Sequence, residues 1–302
     1  MLAGVLFSAL VTVVRLGLGF EATGIFANRN HQALFLSTAF PLINAWLSQG
    51  EARPSTFVRH WIAACASAFV LVVVPLTGSR AGAFLSVLSL ALSIGVFFRF
   101  WRPWIAGNRA LILRAAVAIV ALMVTFVLSG RATSISRLLD GSGEPEQRFQ
   151  LLPVVLHQAM AMMPVGSGFG AFDEVFRSVE PDWALHQTYF NHAHNDLAEM
   201  FLTGGVAGLL LVLGVLLLWF RGIWRVFRSE KPLQARSATW AGAIIMLLIF
   251  LASLVDYPLR TSLIGAQFII AAAWLLDPPD DGKRSIWSAG SHFTRRKRSS
   301  NR

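Results

Sequence analysis

The sequence predicts an all-α membrane protein, a polytopic bundle of about eight helices with one long loop outside the bilayer. Three observations lead there. Apolar residues make up 55% of the 302 and charged ones only 14%, whereas a soluble domain holds about a quarter charged residues. The apolar residues fall in blocks long enough to cross a bilayer. The basic residues gather in alternate connections between those blocks.

The blocks are roughly 2–20, 32–47, 61–76, 82–98, 111–128, 197–220, 238–255 and 261–276. At a rise of about 1.5 Å per residue their lengths come to roughly 24–36 Å, near the hydrocarbon thickness. The first resembles a secretory signal by position. Nothing basic precedes Arg15 and the block is long for a signal, so it reads as a retained helix. Arg15 inside it needs compensation from Glu21 or a lipid phosphate. The single cysteine, Cys65, excludes a disulfide framework and reads as a small buried residue.

Orientation follows from the connections at 48–60, 99–114 and 221–236 and the tail from 277. Together they hold 18 of the 26 Lys and Arg against 5 acids, while the rest of the chain has 8 basic and 11 acidic residues. These segments therefore share the cytoplasmic side, with both termini inside and Trp101, Trp104, Trp219 and Trp224 as interfacial anchors. The net charge of +10 is then a topology signal and an attraction to anionic membrane lipids. It is not a nucleic-acid footprint. The tail 277–302 reads as basic and disordered.

The opposite face receives "EATGIFANRNH", "TGSRAG", the loop 129–196 and "DYPLR". All four are richer in polar residues than a simple connection needs. Within the loop, 148–164 reads as a helix interrupted early by Pro153. "GSGFGAF" reads as a turn that folds the loop back, because glycines permit left-handed backbone. His186, His192 and His194 crowd at its end, and a neutral imidazole suits a general base. The spacing of His192 and His194 also admits zinc with His186 or Asp196, without being specific for it. Arg29 and His31 suit substrate contact or interfacial anchoring equally. Asp256 and Arg260, on either side of Pro258, are expected to pair with each other.

"TGSRAGAFLSVL", "EQRFQLL" and "HAHNDLAEMFLTGGVAG", in this order across a long loop, resemble the O-antigen ligase and O-antigen polymerase superfamily. "GIFANRNHQALFL" before them and "SLVDYPLR" after them fit the same group. His194-Asn195, nine residues, Gly205, two residues and Gly208 match the end of that family's periplasmic loop. The resemblance implies residues 1–276 as one ligase-like transmembrane domain, of the glycosyltransferase C type, in the bacterial inner membrane. It implies transfer of a glycan from an undecaprenyl diphosphate carrier to an acceptor glycan or lipid A-core, without metal or other cofactor, at a site facing the periplasm. By position, Arg80 and Arg148 become diphosphate-binding residues and His194 the catalytic base. Arg29, His31, His192, Asn195, Asp256 and Arg260 become possible substrate contacts.

The family pattern places several more helices ahead of "NRNH" than this chain has. It also places an acid where Thr203 stands, a role that Glu199 can take one turn earlier. Chemistry alone supports the arginines: two guanidiniums in a partly dry site grip a diphosphate bidentately, which lysine does less well. Arg80 at a membrane edge also suits snorkelling. Arg148 also suits a surface pair with Glu144 or Glu146. The rival functional readings are a transporter or flippase for a lipid-linked polysaccharide and a non-catalytic assembly subunit. The nearly uncharged helix centres weigh against the transporter.

Overall fold

The computed structural model describes residues 1–49, 55–114, 117, 144–185 and 190–276. Most of the predicted span 111–128, the start of the long loop, His186 and the tail 277–302 lie outside the described residues. Among the described residues the elements are helical throughout. They are α1 (Leu2–Gly17), α2 (Arg29–Ser37), α3 (Ala39–Ser48), α4 (Ser55–Leu76), α5 (Arg80–Gly107), α6 (Glu144–Ala161), α7 (Phe172–Arg177), α8 (Asp196–Arg228), α9 (Ser237–Ala252) and α10 (Ser262–Leu276). Single 3-10 turns occupy Asp182–Ala184 and Pro258–Arg260.

Three of these, α5, α8 and the 57–76 part of α4, are long and apolar enough to cross a membrane; α1, α9 and α10 are shorter apolar helices. Leu210, Leu211, Leu213, Leu217 and Leu218 of α8 are exposed. In water such a leucine-rich strip would be costly, whereas in lipid it is matched to its solvent. Cys65 is exposed on α4 rather than buried as expected, so it too belongs to the outer surface.

The main core joins α2 and α3 to α9. Phe40, Ile43, Ile245, Leu248 and Ile249 are almost wholly buried together. Small residues set the closest approaches. A Cβ on Gly242 of α9 would lie 2.4 Å from the Ala271 carbonyl of α10, and one on Gly82 of α5 would lie 2.1 Å from the Ala33 Cβ of α2. The predicted single span 32–47 is divided into α2 and α3 at Thr38. Pro41 sits in the first turn of α3, where its missing N–H costs no helical bond. Gln267 bonds the Thr38 hydroxyl at 2.7 Å, so the break is held from α10.

Around the expected anchors the aromatic residues divide. Trp101 is buried and donates to Asn44 Oδ1 at 2.6 Å, and Trp219 donates to the Ala243 carbonyl at 3.0 Å. These two are packing residues. Trp224 is exposed, with the Arg228 guanidinium 4.3 Å above its ring, as an interfacial anchor requires.

A smaller core holds the loop against the bundle. Leu151, Val155 and Ala159 of α6 pack with Phe172 and Phe176 of α7 and with Ala198 and Leu202 of α8. Pro153 lies inside α6, and the helix runs through it to Ala161 rather than breaking early. The helix α8 is interrupted at Gly205, whose φ of 53° and ψ of −139° lie outside the helical region. Beyond that break, a Cβ on Gly208 would come within 2.5 Å of the Met200 carbonyl. Two glycines three apart are what so sharp a bend needs: one for the dihedral, one for the approach.

Candidate functional site

A cavity of about 940 Å³ opens where the N-termini of α2, α5 and α8 converge. Each start is built locally. Asn28 caps α2, its Oδ1 accepting from Asn30 N at 2.8 Å. Ser79 caps α5 by accepting from Gly82 N at 2.9 Å, after Gly78 turns the chain at φ 69°. Asn195 caps α8, its Oδ1 accepting from Ala198 N at 3.0 Å. Helix N-termini present unpaired N–H groups and the positive end of the dipole, so three together favour an anion.

Arg29, His31, Arg80, Arg148, His194, Asn195 and Asp256 all line this one cavity. They come from sequence positions more than two hundred residues apart. Asp256, 3% exposed, is the hub. It accepts from Asn30 Nδ2 at 2.6 Å, Asn28 Nδ2 at 3.3 Å and Tyr257 N at 2.9 Å. His194 Nδ1 lies 3.4 Å from its Oδ1, His31 Nε2 3.7 Å away, and Arg148 Nη1 3.8 Å from its Oδ2. These three are electrostatic approaches rather than formed hydrogen bonds, and both imidazole nitrogens are buried without a hydrogen-bond partner. His31 is fixed from its other side, Nδ1 lying 2.9 Å from the Thr261 hydroxyl.

The charges tune one another. Burial alone would push the Asp256 carboxyl up. The surrounding His194, His31 and Arg148 outweigh it and hold the group well below the usual carboxylate range. Burial pushes the His194 imidazole down, with Arg148 helping and Asp256 opposing. His194 is therefore neutral at neutral pH. Tyr257, in the cavity wall, is pushed up by burial and by the Asp256 charge. Its ring lies 5.0 Å from His31, 4.8 Å from His194 and 4.4 Å from His192, centroid to centroid.

Two expected residues lie beside the cavity rather than in its lining. Arg260 does not pair with Asp256. Its Nε sits 3.7 Å from Asp196 Oδ1 and 3.4 Å from Glu199 Oε1. The intervening Pro258–Arg260 turn is 3-10, not α-helical, so the four-residue spacing does not bring the two side chains onto one face. His192 bonds Glu199 Oε1 through Nδ1 at 3.1 Å, while His194 faces Asp256. The two histidines thus address different carboxylates. Among the described residues no three His, Cys, Asp or Glu side chains are grouped to hold a metal. Arg148 faces Asp256 in the cavity instead of remaining a simple loop charge. Arg15 closes α1 in its last turn, donating to the Glu21 carbonyl at 3.4 Å.

Glu199 is the main residue that the sequence underplayed. Buried at 3% exposure, it accepts from Ala193 N at 3.0 Å and engages His192 and Arg260. It thereby pins the two residues just before His194, which has φ 47° and is the one non-glycine left-handed residue among those described. Asn28, Asn30 and Tyr257 were also not marked as site residues. Asn28 could have been found from its N-cap position ahead of a charged helix start.

Fold and site together describe an all-helical chain with three candidate membrane spans among the described residues and, at one end of its bundle, a cavity lined by three arginines and a histidine beside a buried carboxylate. Residues 65–213 match the family model described as O-antigen ligase, a match that supports the O-antigen ligase and polymerase superfamily. That stretch contains Arg80, Arg148, His194, Gly205 and Gly208, whereas Arg29, His31 and Asp256 lie outside it. No curated protein matches the chain.

Proposed function

We propose that the chain is a membrane glycosyltransferase that moves a glycan from an undecaprenyl diphosphate carrier to a sugar hydroxyl. It would work without a metal or other cofactor, at the periplasmic face of the inner membrane. The observation that supports this most is the single cavity into which arginines from α2, α5 and α6 and the His194 imidazole all open. Arg80 and Arg148 hold the diphosphate, with the three helix N-termini adding to the positive field. Preorganised charge of this kind stabilises the leaving group as the anomeric C–O bond breaks.

The acceptor oxygen attacks the anomeric carbon, and its proton passes to His194 Nε2, the ring nitrogen opposite the Asp256 edge. Asp256 stabilises the imidazolium that results. The carrier leaves as its diphosphate, so charge and atoms balance without a further reactant. Ligase and polymerase share this chemistry and differ only in acceptor, lipid A-core sugar or the end of another lipid-linked repeat.

The test is transfer by purified protein from a lipid-linked oligosaccharide. His194→Ala should lose roughly 10²–10⁴-fold in turnover, the usual worth of a general base. Arg80→Lys should also impair transfer, because the charge stays but the fork is lost. Near-wild-type turnover in His194→Ala, or loss of transfer in chelator, argues against the mechanism.

A further inference from the structure

The break in α8 is filled by another part of the chain. At Gly205 the i to i−4 ladder fails, and the turn at 164–168 supplies the missing partners. Val206 N donates to the Pro164 carbonyl at 2.9 Å, Ser167 N to Leu202 O at 3.0 Å and Gly168 N to Thr203 O at 2.9 Å. The contact is backbone on backbone. A Cβ on Gly166 would lie 2.6 Å from Gly205 N, and one on Gly205 would lie 2.3 Å from Pro164 O. Non-helical backbone at membrane depth is tolerated where protein satisfies it, and here turn and break satisfy each other.

The turn's side chains nonetheless point outward. Met160, Val165 and Phe169 are 65%, 80% and 67% exposed. The Phe169 ring lies over Gly204, 3.1 Å from where a Cβ would be. Directly below it, Val206, Leu209, Leu210, Leu213 and Leu217 are exposed along α8. The lipid-facing strip of that helix therefore continues without interruption onto the loop. Residues 149–172 contain no Lys, Arg, Asp or Glu, which is unusual for a surface segment and ordinary for one in an apolar medium.

Height along the helix identifies the medium. Trp224, with Arg225 and Arg228 beside it, marks one membrane boundary. The nineteen steps from Trp224 back to Gly205 rise about 28 Å, matching a hydrocarbon core of about 30 Å. The turn thus lies where the opposite boundary falls. We propose that residues 160–169 form an interfacial anchor whose Met160, Val165 and Phe169 insert among the lipid acyl chains at that boundary. The bilayer is the partner. Because the turn is bonded to the half-helix that follows His194, the anchor sets the height of the cavity relative to the headgroups.

The experiment uses the full chain with Cys65→Ala, reconstituted in phosphatidylcholine and phosphatidylglycerol vesicles, carrying a nitroxide at Val165→Cys, Phe169→Cys or Met160→Cys. Collisions with oxygen should exceed those with a water-soluble nickel chelate, as at the lipid-facing control Leu210→Cys and opposite to the exposed loop control Ser178→Cys. Three reporters guard against one substitution disturbing the turn. Labels that behave like Ser178→Cys overturn the proposal. So do labels that become protected only when a lipid-linked oligosaccharide is added, since the surface would then be a substrate site. Neither result bears on transfer activity, which is measured separately.

Discussion

Two buried carboxylates do different work around the segment that carries His194. Asp256 collects Asn28, Asn30 and its own neighbour's N–H, and faces His31, His194 and Arg148. Asp256→Asn keeps the shape but removes the charge that steadies an imidazolium. Turnover should fall by roughly 10²-fold or more, with the KM for lipid-linked donor little changed; a large KM effect at intact kcat would instead make it a binding residue. Glu199 acts through the backbone of Ala193 and the ring of His192. Glu199→Ala should therefore lower kcat, and Glu199→Gln, which still accepts from Ala193 N, should recover part of it. Equal loss in both would point to charge rather than positioning.

The pH dependence follows from His194. Its folded pKa lies below the ordinary 6.5, so the neutral form persists into mild acid and the acid limb of kcat/KM should fall below that value in wild type. Between the folded pKa and 6.5 the unfolded chain binds more protons than the folded one. Stability contributed by this group is thus present above 6.5 and declines as pH falls through that window. Asp256, also depressed, adds a second loss below its ordinary value of 3.8.

At the scale of elements, most of the apolar helices could be read from hydropathy, because lipid-facing and core-facing residues are both apolar and the runs are long. The divisions within runs could not. In the 32–47 block the one sign of a break at Thr38 is Pro41, easily passed over in so apolar a run, and 197–220 reads as one continuous helix because leucines continue on both sides of Gly205. The traces of the second break are the Gly204-Gly205 pair and the Gly205-x-x-Gly208 spacing, which matches a family motif as readily as it marks a bend. Gly205→Ala places a methyl 2.3 Å from the Pro164 carbonyl at a φ of 53°. Strain of this sort costs about 1–3 kcal/mol even before the clash, so a clear fall in melting temperature in detergent is expected. Gly214 of the same helix meets nothing within 4 Å. Gly214→Ala should be neutral or stabilising by about 0.4–1 kcal/mol through the unfolded chain. If the two substitutions behave alike, the bend is not held by the turn.

Across the whole molecule the two ends of the bundle are electrostatic opposites. At the cavity end, helix N-termini converge and Arg29, Arg80 and Arg148 gather. At the other, cations close helix C-termini: Arg225 Nη2 donates to Leu275 O and Leu276 O at 3.3 and 3.1 Å, and Arg236 Nη1 to Val226 O and Ser229 O at 2.6 and 3.0 Å. Each basic group answers the negative end of a helix dipole. The same residues belong to the loops whose charge excess fixes orientation at insertion. The arginines that the orientation reading rests on therefore also close helices in the fold. Loop charge is a property of composition and can be read along the chain, whereas the carboxylate partners of the cavity stay hidden there because Asp256 meets Asn30 only after the bundle closes. The expectation is that the two ends lie on opposite sides of the membrane. In a Cys65→Ala background, Ser178→Cys should react with an impermeant maleimide in intact spheroplasts, and Glu230→Cys only after permeabilisation. Reaction of both from one side would place the cavity and the basic connections together, and would remove the reason for assigning the cavity to the periplasmic face.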